Sequence, residues 1–437
     1  MGDAVPTRGD RAVSAAIVAA TVLRLVAVVG QRAIVYSDSV DYEHIDWWGG
    51  RRPWVTPVLY ELVESHGARV FLQGAIGAAC WAYLAVQAVE LVEDRVARWV
   101  VLLGVLGLSL TTTVTSWDTT MLSESLALSL AALLTGALLR LWREPTVRRA
   151  LWLVGAWALW LFTRQAHLVL SVLAVAALLV VVLVAARGRS ATARPWGVAL
   201  AGVAVLTLVA GLSFREDTDI AHENLTYLVS QRIYRDAGDA GWFIEHGMPV
   251  PDGAAPGRPA SLEALRRDRA FQRWLHDDGI QDYARFLLAH PWESLVRPLE
   301  GMVSDRAAFG DLDRPDDVLL AMPESYGFPR EVLPGPVEAL LFEPGQSGGV
   351  LLGLAVALGA TACRLLAGGR DRRWTLPLVL LALQLPALVA VWHASATELG
   401  RLGLPSALLV RLAVLLQLAL LLDAWLGERR RAAAAIL

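Results

Sequence analysis

Charged side chains are concentrated in one short stretch that follows the first apolar run of the chain, SDSVDYEHIDWWGGRRPW, residues 37–54. Asp38 and Asp41 are spaced i, i+3, so a helical conformation would place both carboxylates on one face, with Tyr42 one turn beyond Asp38. A carboxylate in such a position is the kind of group that deprotonates a hydroxyl or an amine. The alternative interpretation is an interfacial loop of solvated acids, with its tryptophans among the lipid headgroups.

A second acidic candidate lies in the stretch TSWDTTMLSESLALSL. Asp118 is predicted to be the N-cap of a membrane helix, which places Glu124 about six residues, or roughly 9 Å, inside that helix. A carboxylate at membrane depth costs about 2.5 to 3.5 kcal/mol, so such residues usually face a protein interior or a water-filled cavity. We expect Glu124 to face a polar cavity, the alternative being a shallower helix start.

Three cations are predicted to reach the same boundary of the membrane: Arg164 in FTRQAHLVL, and His393 and Arg401 in HASATELGRLGLP. Long basic side chains can extend to the headgroups without any further role. Together, however, they could bind the phosphate of a lipid carrier through charge-assisted hydrogen bonds. The candidate binding residues are Arg164, His393, Arg401, Glu398, Tyr42 and Arg52.

The composition indicates that the surrounding solvent is a lipid bilayer. Apolar residues make up 55% of the 437 residues, more than one water-facing core can bury. All 39 basic residues are arginine. The net charge is -3, so the sequence lacks the basic excess that is typical of nucleic-acid-binding proteins. The two cysteines, Cys80 and Cys363, lie in apolar runs and exclude a disulfide framework.

The chain is predicted to be an all-α polytopic membrane protein with about ten transmembrane helices. The apolar runs near the length that crosses about 30 Å of hydrocarbon are 12–30, 70–92, 98–115, 119–141, 149–163, 166–186, 196–214, 348–367, 375–392 and 402–426. Arginines are concentrated in alternate connections, which predicts a plasma-membrane protein with both termini cytoplasmic. The candidate site is then extracytoplasmic.

The fifth and sixth runs are the least regular part of this topology. The run 149–163 rises only about 22 Å, and neither Gly nor Pro marks its turn into the run 166–186. We expect a hairpin, because merging the two runs would reverse the side of every later arginine.

The sequence divides into three predicted regions. Residues 1–214 form an N-terminal membrane bundle of about seven helices, whose first outer loop, 31–69, carries the acidic stretch. Residues 215–347 form a mainly helical extracytoplasmic insertion, and residues 348–437 form a C-terminal bundle of about three helices. Inside the insertion, apolar residues follow a helical stripe: Leu262, Leu265, Phe271, Trp274, Leu275, Tyr283, Phe286 and Leu287.

The order of these motifs resembles the GT-C superfamily of multi-spanning glycosyltransferases. The matching segments are YSDSVDY, RRPWVTPVLYELV, MLSESLALSLAALL, LFTRQAHLVL and HASATELGRLGLP, and bacterial mannosyltransferase-like and lipid A aminoarabinose transferase-like proteins are the most similar. The resemblance implies transfer of a sugar from a polyprenyl-phosphate donor to an envelope glycan, lipid or protein by an inverting displacement. It demands no cofactor, although it is compatible with a divalent cation.

The resemblance also assigns roles to individual residues. It implies that Asp38, with Asp41 as the alternative, is the catalytic base, and that Glu124 is the acid of the next outer turn. It places His393 and Arg401 at the donor phosphate. Many relatives carry an adjacent Asp-Glu pair in the first loop, whereas a serine follows Asp38 here.

Other functions remain as alternatives. A transporter or flippase of lipid-linked saccharides would also need charges facing a cavity, but it favours repeat symmetry that the sequence lacks. An O-antigen-type ligase or polymerase would share the lipid donor. A non-catalytic envelope scaffold would give Asp38 no role.

Overall fold

The chain is helical almost throughout in a computed structural model of the protein, which describes residues 8–43, 45, 52–188, 190–214, 218–298, 331–342, 372–394 and 399–434, with isolated positions between 355 and 364. Within these residues the β-type pairing is a single parallel bridge between Ile34 and Thr120. The helices, in chain order, are α1 Arg8–Val28, α2 Val55–Glu61, α3 His66–Val89, α4 Arg95–Leu110, α5 Thr112–Thr115, α6 Glu124–Arg143, α7 Val147–Leu161, α8 His167–Arg187, α9 Ala193–Ser213, α10 Thr218–Leu228, α11 Ala237–Glu245, α12 Leu262–Arg267, α13 Arg269–Trp274, α14 Ile280–Ala289, α15 Gly335–Phe342, α16 Thr375–Ala394 and α17 Leu399–Ala434.

Seven of the described helices are long and apolar enough to cross a membrane: α1, α3, α6, α8, α9, α16 and α17. An eighth span results if α4 is joined to the segment that ends at Thr119, across a bend of 50°. The prediction of an all-α polytopic membrane protein is therefore confirmed at the level of class. The predicted count of about ten is not reached in the described residues, because α7 has only 15 residues and most of the run 348–367 lies outside them.

The fifth and sixth runs fold as two separate helices, α7 and α8, joined by the turn 162–166, and their crossing of the membrane as a hairpin stays a prediction. The connection needs neither Gly nor Pro, because side-chain and long-range hydrogen bonds satisfy the free carbonyls at the end of α7. The Thr163 hydroxyl donates to the Trp160 carbonyl at 2.6 Å, and the Val55 amide donates to the Phe162 carbonyl at 3.2 Å.

The bundle has two chemically different ends. The first loop and the turns 111–123 and 162–166 meet at one end, here called the loop end, as the Ile34–Thr120 bridge and the Val55–Phe162 hydrogen bond show. The opposite end, here called the arginine end, joins connections that the sequence separates widely, through ion pairs such as Arg373–Glu93 at 3.1 Å. Arg430 pairs with Asp94 there at 2.6 Å. Which side of the membrane each end faces remains a prediction.

Residues 218–298 fold around a second hydrophobic core, and this part is here called the cap. The predicted stripe supplies much of that core: Leu265, Phe271, Trp274, Leu275 and Phe286 are buried, and Tyr283 and Leu287 pack against them. The predicted boundaries of the insertion, 215–347, remain a prediction. Its last described helix, α15, lies against the bundle, where the Glu338 carboxylate accepts hydrogen bonds from the amide and hydroxyl of Thr112 at 2.5 and 2.8 Å.

Candidate functional site

The acidic stretch folds as a short 3-10 helix, Ser37–Tyr42, at the loop end. The Tyr36 amide donates to the Ser39 hydroxyl at 2.9 Å and fixes the start of this helix. Residues i and i+3 eclipse one another in a 3-10 helix, so Asp38 and Asp41 share a face, as the spacing predicts. Both carboxylates lie 3.2 Å from Nη2 of Arg52.

The cluster of Asp38, Asp41 and Arg52 is partly open to solvent and electrostatically coupled. The two acidic side chains are 31% and 29% exposed. Burial lowers the pKa of Arg52, but Tyr42, Asp38 and Asp41 together outweigh it and raise that pKa above its ordinary value. The arginine therefore keeps its positive charge between two acids that remain within reach of a ligand.

Tyr42 joins this cluster to the start of α6. Its ring lies under the Arg52 guanidinium at 5.1 Å, and its hydroxyl donates to the Ser123 hydroxyl at 3.2 Å. Ser123 is the N-cap of α6, directly before Glu124. The predicted binding residues Tyr42 and Arg52 are thus brought together with the predicted acids.

The first loop is also fixed to the turn that precedes α6. The Ile34 amide donates to the Thr119 carbonyl at 2.8 Å, and the Met121 amide donates to the Ile34 carbonyl at 2.9 Å. From α3, the Gln73 side-chain amide donates to the carbonyls of Asp118 and Thr120 at 3.0 and 3.2 Å. These bonds hold the acidic stretch against a buried, rigid support.

Asp118 is the carboxylate of a buried ion pair, and its predicted role as a helix N-cap is wrong. Nε and Nη2 of Arg24 donate to its two carboxylate oxygens at 3.0 and 3.1 Å, and both side chains are almost completely buried. The Ser125 hydroxyl donates to the same carboxylate at 2.6 Å. Gly77 makes room for the pair, because a Cβ there would lie 2.5 Å from the Arg24 guanidinium.

The predicted depth of Glu124 is also wrong, because α6 begins at Glu124 rather than near residue 119. Extended pairing with Ile34 keeps residues 119–121 out of the helix. Glu124 nevertheless faces the protein interior, where its carboxylate lies 3.1 Å from Nη2 of Arg164 and both side chains are buried. Arg164, predicted to bind a phosphate, is therefore engaged by a carboxylate.

The late basic motif lies in a different environment. Nε2 of His393 donates to the Ser294 carbonyl at 2.8 Å, and Nδ1 lies 2.8 Å from the Tyr283 hydroxyl, so these contacts join His393 to the cap. Arg401 lies in the first turn of α17, but its side chain and the whole of Glu398 fall outside the described residues. Their predicted roles, like that of His393, remain predictions.

Sequence reasoning missed two residues that shape the loop end. Arg24 was visible as a cation inside an apolar run, which is a signal for a buried partner, but its partner is 94 residues away.

Tyr60 gave no signal, yet its buried hydroxyl lies 3.1 Å from the Leu122 carbonyl and donates to it. Burial, followed by nearby Tyr42 and Glu124, raises the pKa of Tyr60 well above its ordinary value, so this phenol stays a neutral donor.

The described residues include no group of three or more His, Cys, Asp or Glu side chains arranged to hold a metal ion. The described part of the loop end offers two acids and a cation. A carboxylate on an exposed loop can accept a proton, and an arginine beside it can bind an anionic oxygen. The arrangement suits proton abstraction from a ligand that carries a phosphate.

No family model matches the sequence, and no curated protein matches it. Among solved structures, the chain is similar to the archaeal oligosaccharyltransferase AglB from Archaeoglobus fulgidus, in complex with an inhibitory peptide and a dolichol-phosphate. The two sequences are 13% identical, with a TM-score of 0.45. The match covers 97% of this chain and 52% of that one, so this chain spans about half the length of that protein. A likeness of this size establishes no family for the chain.

Proposed function

We propose that the protein is an integral membrane glycosyltransferase that transfers a sugar from a polyprenyl-phosphate donor to an acceptor of the cell envelope. The observation that carries the proposal is the cluster of Asp38, Asp41 and Arg52 at the loop end. It combines two partly exposed acids with one cation at 3.2 Å from each, at the end of apolar helices that a lipid donor can approach from the bilayer. The resemblance of the surrounding motifs to GT-C glycosyltransferases points to the same reaction.

In the proposed reaction, the acceptor hydroxyl oxygen attacks the anomeric carbon of the donor sugar. The bond from that carbon to the phosphate oxygen breaks, and the polyprenyl phosphate leaves with the bonding electron pair. Asp38 takes the proton of the attacking hydroxyl, with Asp41 as the alternative base. A single displacement of this kind inverts the anomeric centre.

The leaving phosphate needs a cation to stabilise its developing charge. Arg52 is the cation on the exposed face of the acids, and we assign it this role first. Arg164, His393 and Arg401 stay candidates for the same phosphate. We assign to Glu124 the role of the acidic residue in the second outer turn. Its ion pair with Arg164 holds the carboxylate in place.

The proposal places the loop end on the extracytoplasmic side. Its support is the arginine distribution, since the connections at the opposite end carry the arginine excess that marks cytoplasmic loops. Single-cysteine labelling tests this orientation at two exposed acids, Asp278 in the cap and Glu144 at the arginine end. We expect Asp278→Cys and Glu144→Cys to react with a membrane-impermeant reagent from opposite sides, and labelling of both from the same side would contradict the placement.

The test of the reaction is an assay of the purified protein in lipid nanodiscs with radiolabelled sugars on synthetic polyprenyl phosphates. We expect wild-type protein to consume at least one donor and Asp38→Asn to lose most of that activity, while Asp278→Asn, an exposed acid of the cap, retains it. Absence of donor consumption with every sugar and acceptor would contradict the proposal. A flippase would move the donor across the bilayer without consuming it, so the assay separates the two functions.

A further inference from the structure

One side of the cap carries three large apolar side chains that its own core leaves uncovered. Leu288, Trp292 and Leu295 are 85%, 58% and 57% exposed, whereas Phe286 nearby is buried in the cap core. They lie within eight positions of one another, on either side of the break at His290 that ends α14. This surface, here called the apolar stripe, runs from the end of α14 into the π-helical turn Trp292–Val296. Three large apolar side chains exposed within eight residues mark an interaction site more strongly than single exposed residues do.

The apolar stripe is attached to the end of a membrane span. The Ser294 carbonyl, between Trp292 and Leu295 in sequence, accepts a hydrogen bond from Nε2 of His393 at 2.8 Å. His393 is the penultimate residue of α16, which has 20 residues and so rises about 30 Å, the thickness of the hydrocarbon core. Trp292 and Leu295, each within two residues of Ser294, therefore lie near the level at which α16 leaves the hydrocarbon.

A second contact fixes the cap at this level. The guanidinium of Arg232, from the π-helical turn after α10, lies 4.0 Å over the ring of Trp392 and donates to the Trp392 carbonyl. Since α16 begins near the Arg373–Glu93 pair of the arginine end, its last turn belongs to the loop end. The cap is thus held at the loop-end surface of the bilayer from two of its segments.

We propose that the apolar stripe is a membrane-contact surface, occupied by phospholipid at the boundary between headgroups and acyl chains. Tryptophan is enriched at this boundary, and apolar helix faces that bind it lie about 5–10 Å deep. The contact holds the cap against the bilayer at the end of α16. This proposal rests on the exposure of the stripe and on its attachment to α16. It is independent of the proposed reaction.

The test places an environment-sensitive fluorophore on the stripe of the full-length protein. In a background with Cys80→Ala and Cys363→Ala, single cysteines are introduced as Leu288→Cys and Leu295→Cys and labelled with a nitrobenzoxadiazole group. The matched control is Glu263→Cys, since Glu263 lies in α12 of the same cap and its side chain is 69% exposed. All three proteins are reconstituted in phosphatidylcholine and phosphatidylglycerol nanodiscs with and without lipids that carry a doxyl quencher near the headgroup.

We expect blue-shifted emission and several-fold stronger quenching by the doxyl lipids at positions 288 and 295 than at position 263. Quenching at 288 and 295 as weak as at 263 would overturn the proposal. Blue-shifted emission that the doxyl lipids do not quench, but that depends on protein concentration, would also overturn the proposal. A second copy of the chain would then cover the stripe.

Discussion

At the loop end, the Arg24–Asp118 and Glu124–Arg164 pairs are buried among helices, whereas at the arginine end the cations extend into solvent. Both loop-end pairs join residues from different parts of the chain and lie below a tenth exposed. Arg430, by contrast, is 65% exposed where it pairs with Asp94. A buried pair fixes the conformation of the segments that carry it, because removing one partner leaves an uncompensated charge. An exposed pair contributes little.

The arginine end also contains a cavity of about 420 Å³, whose lining includes Arg364, Arg373 and Arg430. Each of these arginines is paired with a carboxylate, as in the Arg364–Glu428 pair at 2.9 Å. The cavity therefore lies within a network that closes this end of the bundle. Volume alone does not identify the site, since the cluster of Asp38, Asp41 and Arg52 lies at the other end.

The largest stability effect is expected from the buried pair at the loop end. Arg24→Met would leave Asp118 buried without its cation, which costs about 3–5 kcal/mol. We expect a correspondingly large fall in thermal stability in nanodiscs, followed by intrinsic fluorescence or by aggregation. A double variant, Arg24→Met with Asp118→Leu, removes both charges and should recover much of the loss; no recovery would show that the pair is not the cause.

A smaller effect is expected for the cation of the exposed cluster. Arg52→Gln removes the cation assigned to the leaving phosphate, and losing one charge-assisted contact to the transition state costs about 1.5–3 kcal/mol, or roughly ten- to a hundredfold in rate. Arg52→Lys keeps the charge and should recover part of the sugar-transfer rate. Equal rates for the two variants would show that the charge of Arg52 is not used.

The arginine end should tolerate a comparable change. Arg430 is largely exposed, and its partner Asp94, although only 9% exposed, keeps hydrogen bonds from the amides of Val96 and Ala97. Arg430→Gln is therefore expected to change the free energy of unfolding by less than about 1 kcal/mol. The measurement is the same thermal unfolding used for Arg24→Met. A loss as large as that of Arg24→Met would remove the distinction between the two ends.

A further effect concerns pH and the cap, where Asp239, Asp236 and Glu293 share Arg297. Burial, assisted by Asp236, raises the pKa of Asp239 from 3.8 to about 6. The folded cap therefore binds this proton more tightly than the unfolded chain does, and the resulting stabilisation is lost as pH rises from about 4 through about 6. We expect amides of α11 to be better protected from hydrogen exchange at about pH 5 than at about pH 7, after correction for intrinsic rates, and Asp239→Asn to abolish the difference.

Periodic and local features of the sequence predicted much of this architecture. Apolar run lengths gave the membrane helices, and alternating arginines gave the two ends, because both depend on bilayer thickness and charge rather than on particular contacts. The i, i+3 spacing of Asp38 and Asp41 likewise predicted their common face. The sequence also named Tyr42 and Arg52 as candidate binding residues, but it did not predict the contact of Arg52 with both acids.

Long-range contacts account for what the sequence did not predict. Helix α6 begins at Glu124, later than predicted, because Ile34 pairs with the residues before it. No local sequence pattern encodes that bridge. Asp118 has the sequence context of a helix N-cap, but its carboxylate instead accepts hydrogen bonds from Arg24. His393 was predicted at the same boundary of the membrane as the acids, and its contacts to Ser294 and Tyr283 of the cap were not predicted.

The central claim is that the exposed acids of the loop end perform chemistry and that the acids of the arginine end do not. The most direct test compares the sugar-transfer rates of Asp38→Asn and Glu93→Gln, each of which neutralises one carboxylate paired with an arginine, at 3.2 Å and 3.1 Å respectively. Loss of a general base lowers a rate by about 10²–10⁴-fold, so we predict a loss of that size for Asp38→Asn and a rate near wild type for Glu93→Gln. Equal rates for the two variants would contradict the claim.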